Sequence, residues 1–294
     1  MEYYKLSYKK LYSYFQNKNC VLLGESTHGT SEFYKIRLDI TKHLITKKGF
    51  SCIFLEMEWS IGVLMNKLIH QNHKINSKEF LKKTIIKYPK WMLDNIYISE
   101  LLDFCYEWNK KKKNTRKVYI YGVDCQDIEL AKKDICYDST IHCSIVKDII
   151  SNYSQMILPS NSYWNYRDNM WKKIIKTINC GKFVLWAHNS HIGDSRAYFS
   201  TQNINIGELL RNLFTNIISV GFTTNQGTVT ASNKWGGTSR TYTLNHVIDT
   251  SFEKIFSEIC KKINSQKIIY VCNPSIKLFK WLRYIGVSYI KSTE

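Results

Sequence analysis

Proline is nearly missing from this chain, at three residues in 294, and there is no Gly/Ser-rich tract. A flexible linker between separate modules is therefore not expected. Arginine is scarce as well: 7 Arg stand against 35 Lys within a formal net charge of +18. Readers of bases and phosphates rely on the planar guanidinium fork. So lopsided a basic set, accompanied by abundant Asn, Ile and Tyr, reads as coding bias and argues against nucleic acid as the partner. No apolar run approaches the roughly 18 residues of a membrane span. The opening Met1-Glu2-Tyr3-Tyr4-Lys5 has no apolar signal core, so a cytoplasmic location is expected. Nine cysteines are present, but no Cys-x-x-Cys pair. An odd number at irregular spacing predicts reduced, mostly buried thiols rather than a disulfide framework. The nucleophile elbow Gly-x-Ser-x-Gly, the Walker loop, the dinucleotide fingerprint and the His-Glu-x-x-His zinc motif are all lacking.

What is present is a repeated pattern of short apolar runs ending in polar groups. Val21-Leu22-Leu23 runs into Gly24-Glu25-Ser26-Thr27-His28-Gly29. Phe33, Ile36, Ile40 and Leu44 then recur at helical spacing, so the stretch reads as strand, tight loop, helix. Further strands are expected at Phe50–Leu55, Val118–Val123, Lys182–Ala187, Ile217–Phe222 and Ile268–Val271. Helical patterns occupy about 60–110, interrupted at Tyr88-Pro89, and about 128–180. Residues 1–19 read as a lead-in with a short helix, and Thr223–Thr243 as a long loop or hairpin. Strands alternating with helices predict an α/β fold with a mostly parallel central sheet flanked by helices. The whole chain, 1–294, is expected to form a single domain.

In such sheets the loops at strand carboxyl ends hold the ligand. Glu25 and His28 follow the first strand, Glu56 ends the second, Asp124 ends the third, and His188 and His191 follow the fourth. His28 is the best-placed general base, because imidazole titrates near neutral pH, and Glu25 would orient it. Arg37 is placed to pair with Glu56 or to donate to an oxyanion. Glu32 suits the helix dipole of its first turn, and Glu58 reads as an exposed bystander. Arg167 and Asp168 read as a local bracing pair. Ser26 lacks the setting of a covalent nucleophile, so attack by water is the simpler route. His28, His188 and His191 with the nearby acids are also the alternative ligands of a divalent metal. A further alternative is a non-catalytic protein that meets an acidic partner.

The motif Gly24-Glu25-x-x-His28-Gly29-x-x-Glu32, with Arg37 nine residues after the histidine, closely resembles the erythromycin esterase family. The likeness continues in Phe54-Leu55-Glu56, in Tyr121 through Gln126, and in Asn165-Tyr166-Arg167-Asp168-Asn169-Met170. It is strongest in Trp186-Ala187-His188-Asn189-Ser190-His191-Ile192-Gly193, and runs on through Gly207-Glu208-Leu209-Leu210 and Gly221–Gly227, covering about residues 20–230. The resemblance implies an α/β core with an added helical part covering a cleft at the strand ends. It implies a hydrolase that opens a carboxylic ester or lactone with no required cofactor. His28 would be the water-activating base, with Glu25, Arg37, Glu56, His188 and His191 as its supporting site. Glu32, Asp124 and Asn189 are the expected substrate-binding residues, and the expected partner is a small-molecule ester or lactone, a macrolide being one option. The chain is shorter than typical macrolide esterases, and covering structure between Asp124 and Trp164 is expected to be reduced.

Overall fold

The computed structural model describes residues 2–86, 89–133, 140–157, 163–197, 203–234, 236–273 and 280–289. In chain order the strands are β1 Glu2–Lys5, β2 Cys20–Leu23, β3 Cys52–Glu58, β4 Tyr119–Asp124, β5 Phe183–Trp186, β6 Ile217–Val220, β7 Thr228–Ala231, β8 Arg240–Thr243 and β9 Ile268–Val271. The helices are α1 Tyr8–Ser13, α2 Ser31–Lys48, α3 Trp59–His70, α4 Ser77–Thr84, α5 Lys90–Leu93, α6 Ile96–Lys110, α7 Ile128–Lys133, α8 Thr140–Ile157, α9 Tyr163–Ile178, α10 Asn189–Ile192, α11 Ile206–Arg211 and α12 Phe252–Lys262.

β2, β3, β4, β5 and β6 form one parallel sheet in the order β4-β3-β5-β2-β6. Its strands are apolar on both faces, as a sheet covered on both sides requires. Val21, Leu23, Ile53, Leu55, Val184 and Trp186 pack into a core with α2, α3 and α6. The alternating residues Cys20, Leu22, Cys52, Phe54, Phe183 and Leu185 pack into a second core with α8, α9 and α11. This period of two is the pleat of a β-strand expressed as two hydrophobic layers. α2 ends where Gly49 takes up φ 72°, a left-handed cap that a residue with a Cβ adopts only with strain.

The architecture agrees with the expected α/β class. The N-terminal lead-in differs, because its first residues form β1, paired antiparallel with β9 from Glu2↔Val271 to Lys5↔Ile268. β9 therefore belongs to a separate two-stranded ribbon and not to the central sheet. Tyr3 and Tyr4 favour an extended chain, but the partner that makes them a strand lies at the far end of the sequence. The Thr/Gly-rich stretch resolves into a hairpin, with β7 and β8 paired from Thr228↔Thr243 to Ala231↔Arg240. The interruption expected at Tyr88, and residues 134–139 and 158–162 of the helical stretch expected at about 128–180, fall outside the described residues. Among the described residues no helix is long and apolar enough to cross a membrane. The described cysteines are free thiols: Cys20, Cys52, Cys105 and Cys125 are buried, Cys143, Cys180 and Cys260 half-buried, and Cys272 exposed.

The strand order decides where the polar groups meet. β5, late in the chain, inserts between β2 and β3. The ends of β4, β3, β5 and β2 therefore stand side by side. They carry Asp124, Glu56, His188 with His191, and Glu25 with His28.

Candidate active site

Two linked clusters of charge occupy this edge of the sheet. The first is local in sequence. His28 Nδ1 lies 2.9 Å from Glu25 Oε1, and Arg37 Nη2 donates to Glu25 Oε2 at 2.5 Å. Glu25 and Arg37 are each 2% exposed and His28 5%, so both oxygens of the acid are engaged away from water. The Arg37 guanidinium also lies over the rings of Tyr34 and Trp186, at 4.4 and 4.9 Å. Arg37 thus pairs with Glu25 and not with Glu56. β2 feeds directly into α2, so the connecting loop folds back over the helix's early turns. Gly29 permits this path: a Cβ there would come within 1.8 Å of the Thr230 carbonyl oxygen.

The second cluster is assembled across the chain. Arg167 in α9 grips Asp124 with two bonds, Nε to Oδ1 at 2.9 Å and Nη2 to Oδ2 at 2.6 Å, and reaches Glu56 Oε1 at 3.3 Å. His191 Nδ1 sits 2.8 Å from Asp168 Oδ1, and its Nε2 lies 3.4 Å from Glu56 Oε1. The imidazole is stacked between Trp164 and Trp171, with ring centroids at 4.3 and 4.4 Å. Asp168 also accepts the Ile206 N–H at 2.6 Å. Arg167 and Asp168 are therefore not a mutual pair. As neighbours on α9 they point to different partners, Arg167 to the acids and Asp168 to the histidine.

The electrostatics follow from burial and these neighbours. Burial opposes a charge on His191, but Asp168 and Glu56 outweigh it and raise its pKa to about 9. The ring is therefore cationic at neutral pH, with Nε2 facing Glu56 Oε1 at 3.4 Å and Arg167 Nη1 at 3.3 Å. Burial likewise opposes ionisation of Glu56, yet His191, His28 and Arg167 hold its carboxyl well below the usual range. Desolvation works against the Arg167 guanidinium too, and Asp124 and Glu56 more than offset it, raising its pKa well above the usual value.

These shifts predict how stability depends on pH. A histidine whose pKa rises on folding stabilises fully below its unfolded value, near 6.5. That contribution is lost as pH climbs through the folded value of about 9. Urea unfolding is expected to show stability declining from pH 6.5 to 9, with a shallower decline in Asp168→Asn. Equal slopes in the two proteins would contradict the Asp168–His191 pairing.

His188 joins the clusters. Its backbone N–H donates to Glu56 Oε2 at 2.8 Å. The Ser190 backbone N–H donates to His188 Nδ1 at 3.3 Å. A ring nitrogen that accepts leaves the proton of the neutral imidazole on the other, Nε2. Nε2 is buried and no hydrogen bond satisfies it, although the Ser26 carbonyl is near enough to favour the protonated ring. Burial, reinforced by His28, pushes the His188 pKa down to about 3, so the ring is neutral at physiological pH. Its centroid lies 5.0 Å from that of His28 and 5.5 Å from that of Tyr284.

The remaining expected residues divide. Asp124 is in the cluster, but Arg167, Trp171 Nε1 and the Cys125 N–H occupy its oxygens. Asn189 fastens loops: its N–H donates to the Glu25 carbonyl at 2.8 Å and its Nδ2 to the Phe222 carbonyl at 2.9 Å. Glu32 is exposed in the first turn of α2 and takes part in none of these contacts. Glu58 is no bystander, for it accepts the Gln126 and Asp127 N–H groups at 2.9 and 3.2 Å. Burial and the neighbouring Asp124 raise its pKa to about 7. Ser26 is fully buried, its Oγ without a partner, so no base activates it.

Tyr34, Trp164, Trp171 and Tyr284 are site residues that sequence reasoning did not single out. The tryptophans had a readable signal, since Trp164, Arg167/Asp168 and Trp171 recur at one-turn spacing along one helix face. Tyr284 had none. The alternative metal ligands are only partly engaged by other groups. His28 Nδ1 faces Glu25, His188 Nδ1 faces Ser190, and both His191 nitrogens face carboxylates. Among the described residues no group of three or more His, Cys, Asp or Glu side chains is placed to hold a metal ion.

The α/β sheet gathers histidines, carboxylates and arginines at its carboxyl edge, and comparison with known proteins supplies the class. The Erythromycin esterase family model matches residues 45–137 and 129–294, and the chain belongs to that family. The match reaches the C-terminal residues, beyond the motifs legible up to about residue 230. The fold is similar to a Bacillus cereus protein at TM-score 0.68 and 18% identity, covering 85% of this chain and 77% of that one. It is similar to a succinoglycan biosynthesis protein at TM-score 0.64 and 20% identity, again covering 85% and 77%. A mutant of the erythromycin esterase EreC in its open conformation matches at TM-score 0.62 and 12% identity, covering 88% of both chains.

Proposed function

We propose that the protein hydrolyses a carboxylic ester or lactone of a small molecule, with water activated by His28 and without a metal. The observation that carries this reading is the fixed imidazole: Glu25 holds His28 Nδ1 at 2.9 Å and is itself held by Arg37. A ring whose Nδ1–H donates to a carboxylate presents Nε2 as the basic nitrogen.

In this mechanism Nε2 of His28 takes a proton from water as the water oxygen adds to the carbonyl carbon. The resulting oxyanion accepts the hydrogen bond of His188 Nε2–H, a buried donor with the Ser26 carbonyl nearby. When the tetrahedral species collapses, the carbon–oxygen bond breaks and the proton on His28 passes to the departing alkoxide. Glu25 steadies the imidazolium between the two transfers. Glu56, kept ionised by His191 and Arg167, holds the His188 backbone and so aims the donor.

The test is a panel of simple esters and lactones, a macrolide included, assayed with and without a chelator. Turnover that persists in chelator supports the proposal. Turnover abolished by chelator and restored by added divalent metal would transfer the histidines to metal binding, and no turnover on any ester would refute the reaction class.

A further inference from the structure

The segments that enter the five central strands lie at the edge of the sheet opposite the histidines. Backbone hydrogen bonds tie them side by side. The Tyr119 N–H donates to the Ser51 carbonyl at 2.8 Å, and the Ser51 N–H to the Lys182 carbonyl at 3.2 Å. The Phe183 N–H donates to the Asn19 carbonyl at 2.9 Å, and the Asn19 N–H to the Asn216 carbonyl at 2.9 Å. Adjacent strands stand about 4.8 Å apart, so the five entries span roughly 20 Å.

The charge on this edge has one sign. Residues 14–20, 46–51, 109–118, 175–182 and 212–217 together carry eleven Lys and Arg and no Asp or Glu. None of the eleven is buried, and none pairs with a described acid. Lys110 and Lys182 donate instead to the Asn72 and Lys48 carbonyls, and Lys112 lies over the Trp108 ring. Elsewhere lysines do find acids, as Lys35, Lys83, Lys90 and Lys132 do. Coding bias sets how many lysines the chain has. It does not clear acids from five segments that only folding brings together. Lysines in the last turn of a helix also offset its dipole, which accounts for Lys47, Lys48, Lys110 and Lys176. The other seven lie beyond the ends of α2, α6 and α9.

We propose that this edge docks on an anionic lipid surface, with the histidine site turned toward solution. Only one of the eleven cations is an arginine, Arg116. Lysine is a compact, hydrated point charge, suited to a diffuse layer of lipid headgroups, whereas bases are read by the guanidinium fork. The charge is also graded along the edge. Residues 109–118, at the entry to β4, carry six of the eleven, and the entry to β6 carries none. That uncharged end instead presents Leu213, 46% exposed, as an apolar contact. Because the strands are parallel, docking by their amino ends leaves the carboxyl ends open to substrate. The proposal stands apart from the reaction carried out at the site.

The experiment measures sedimentation of the protein with vesicles of one-third phosphatidylserine and two-thirds phosphatidylcholine, against vesicles of phosphatidylcholine alone. Wild type is expected to sediment with the first and not the second. It should be released as salt rises to about 0.5 M, where screening shortens the reach of each charge. A cation at such a surface strengthens binding about fivefold. The variant with Lys110, Lys111, Lys112 and Lys113 all changed to Gln is therefore expected to bind about 10²-fold more weakly. Lys47→Gln with Lys48→Gln, at the neighbouring entry, should lose about tenfold. Changing Lys35, Lys83, Lys90 and Lys132 to Gln removes the same charge from other surfaces and should cost less than about threefold. Thermal melts confirm that the variants are folded. A wild type that ignores phosphatidylserine, or two quadruple variants weakened alike, overturns the docking face. A short DNA duplex that displaces the protein from the vesicles, with the same dependence on Lys110–Lys113, would assign the edge to nucleic acid and overturn the lipid partner.

Discussion

Replacing His28 with alanine is expected to lower kcat/KM for ester hydrolysis by about 10³-fold, within the usual range for loss of a general base. The fold should survive, because the change removes the base without stranding a charge. Glu25 loses the bond from His28 Nδ1 but keeps Arg37 on its other oxygen. The thermodynamic cost is then that of one buried hydrogen bond and a small cavity, about 1–3 kcal/mol. Kinetics and thermal unfolding measured on the same preparation check both halves. A folded His28→Ala enzyme that retains a tenth of wild-type activity would remove His28 from the chemistry. His188→Ala provides the contrast, with an expected loss of about 10²–10³-fold, the size associated with one oxyanion donor.

The second large effect is on stability. Arg167→Met is expected to destabilise the protein by about 3–5 kcal/mol, the cost of breaking a buried ion pair by removing one partner. Asp124, 7% exposed, would lose both of its guanidinium bonds, and Glu56 would lose one. At about 2–4 °C per kcal/mol for a chain of this size, the melting temperature should fall by roughly 10 °C. Adding Asp124→Asn should recover part of the loss, because it removes the stranded charge. Calorimetry of the single and double variants decides the matter. An Arg167→Met protein melting within 2 °C of wild type, or a double variant less stable than the single, would show that the pair contributes little. The same cluster links fold to chemistry, since a displaced Glu56 no longer holds the His188 N–H.

Much of this architecture was legible in the residues. The apolar runs of the central sheet are short, bounded by polar loops and spaced by helical patterns, and each became a strand with its ends within three residues of the reading. The loop from Gly24 to Gly29 was legible because its acid, histidine and helix are contiguous. Arg37 was recognised as a site residue but matched to the wrong acid. Arg167 and Asp168 were read as partners because they are adjacent, although neighbours on a helix point about 100° apart. The first strand was missed because four residues declare little until their partner is known. Tyr284 gave no sign, since nothing local distinguishes a tyrosine near the end of a chain from any other.

The sequence alone determined the strands of the central sheet and the helices between them, which strand ends carry acids and histidines, and that the chain resembles erythromycin esterases. Local periodicity and short motifs encode these properties, because they depend on neighbours within one or two turns. Tertiary structure alone decided which polar groups meet. Placing β5 between β2 and β3 brings His188 to the ring of His28 and to the carboxylate of Glu56. Burial of those groups then sets their charges, neutral at His188 and positive at His191, through desolvation and contacts between residues far apart in the chain.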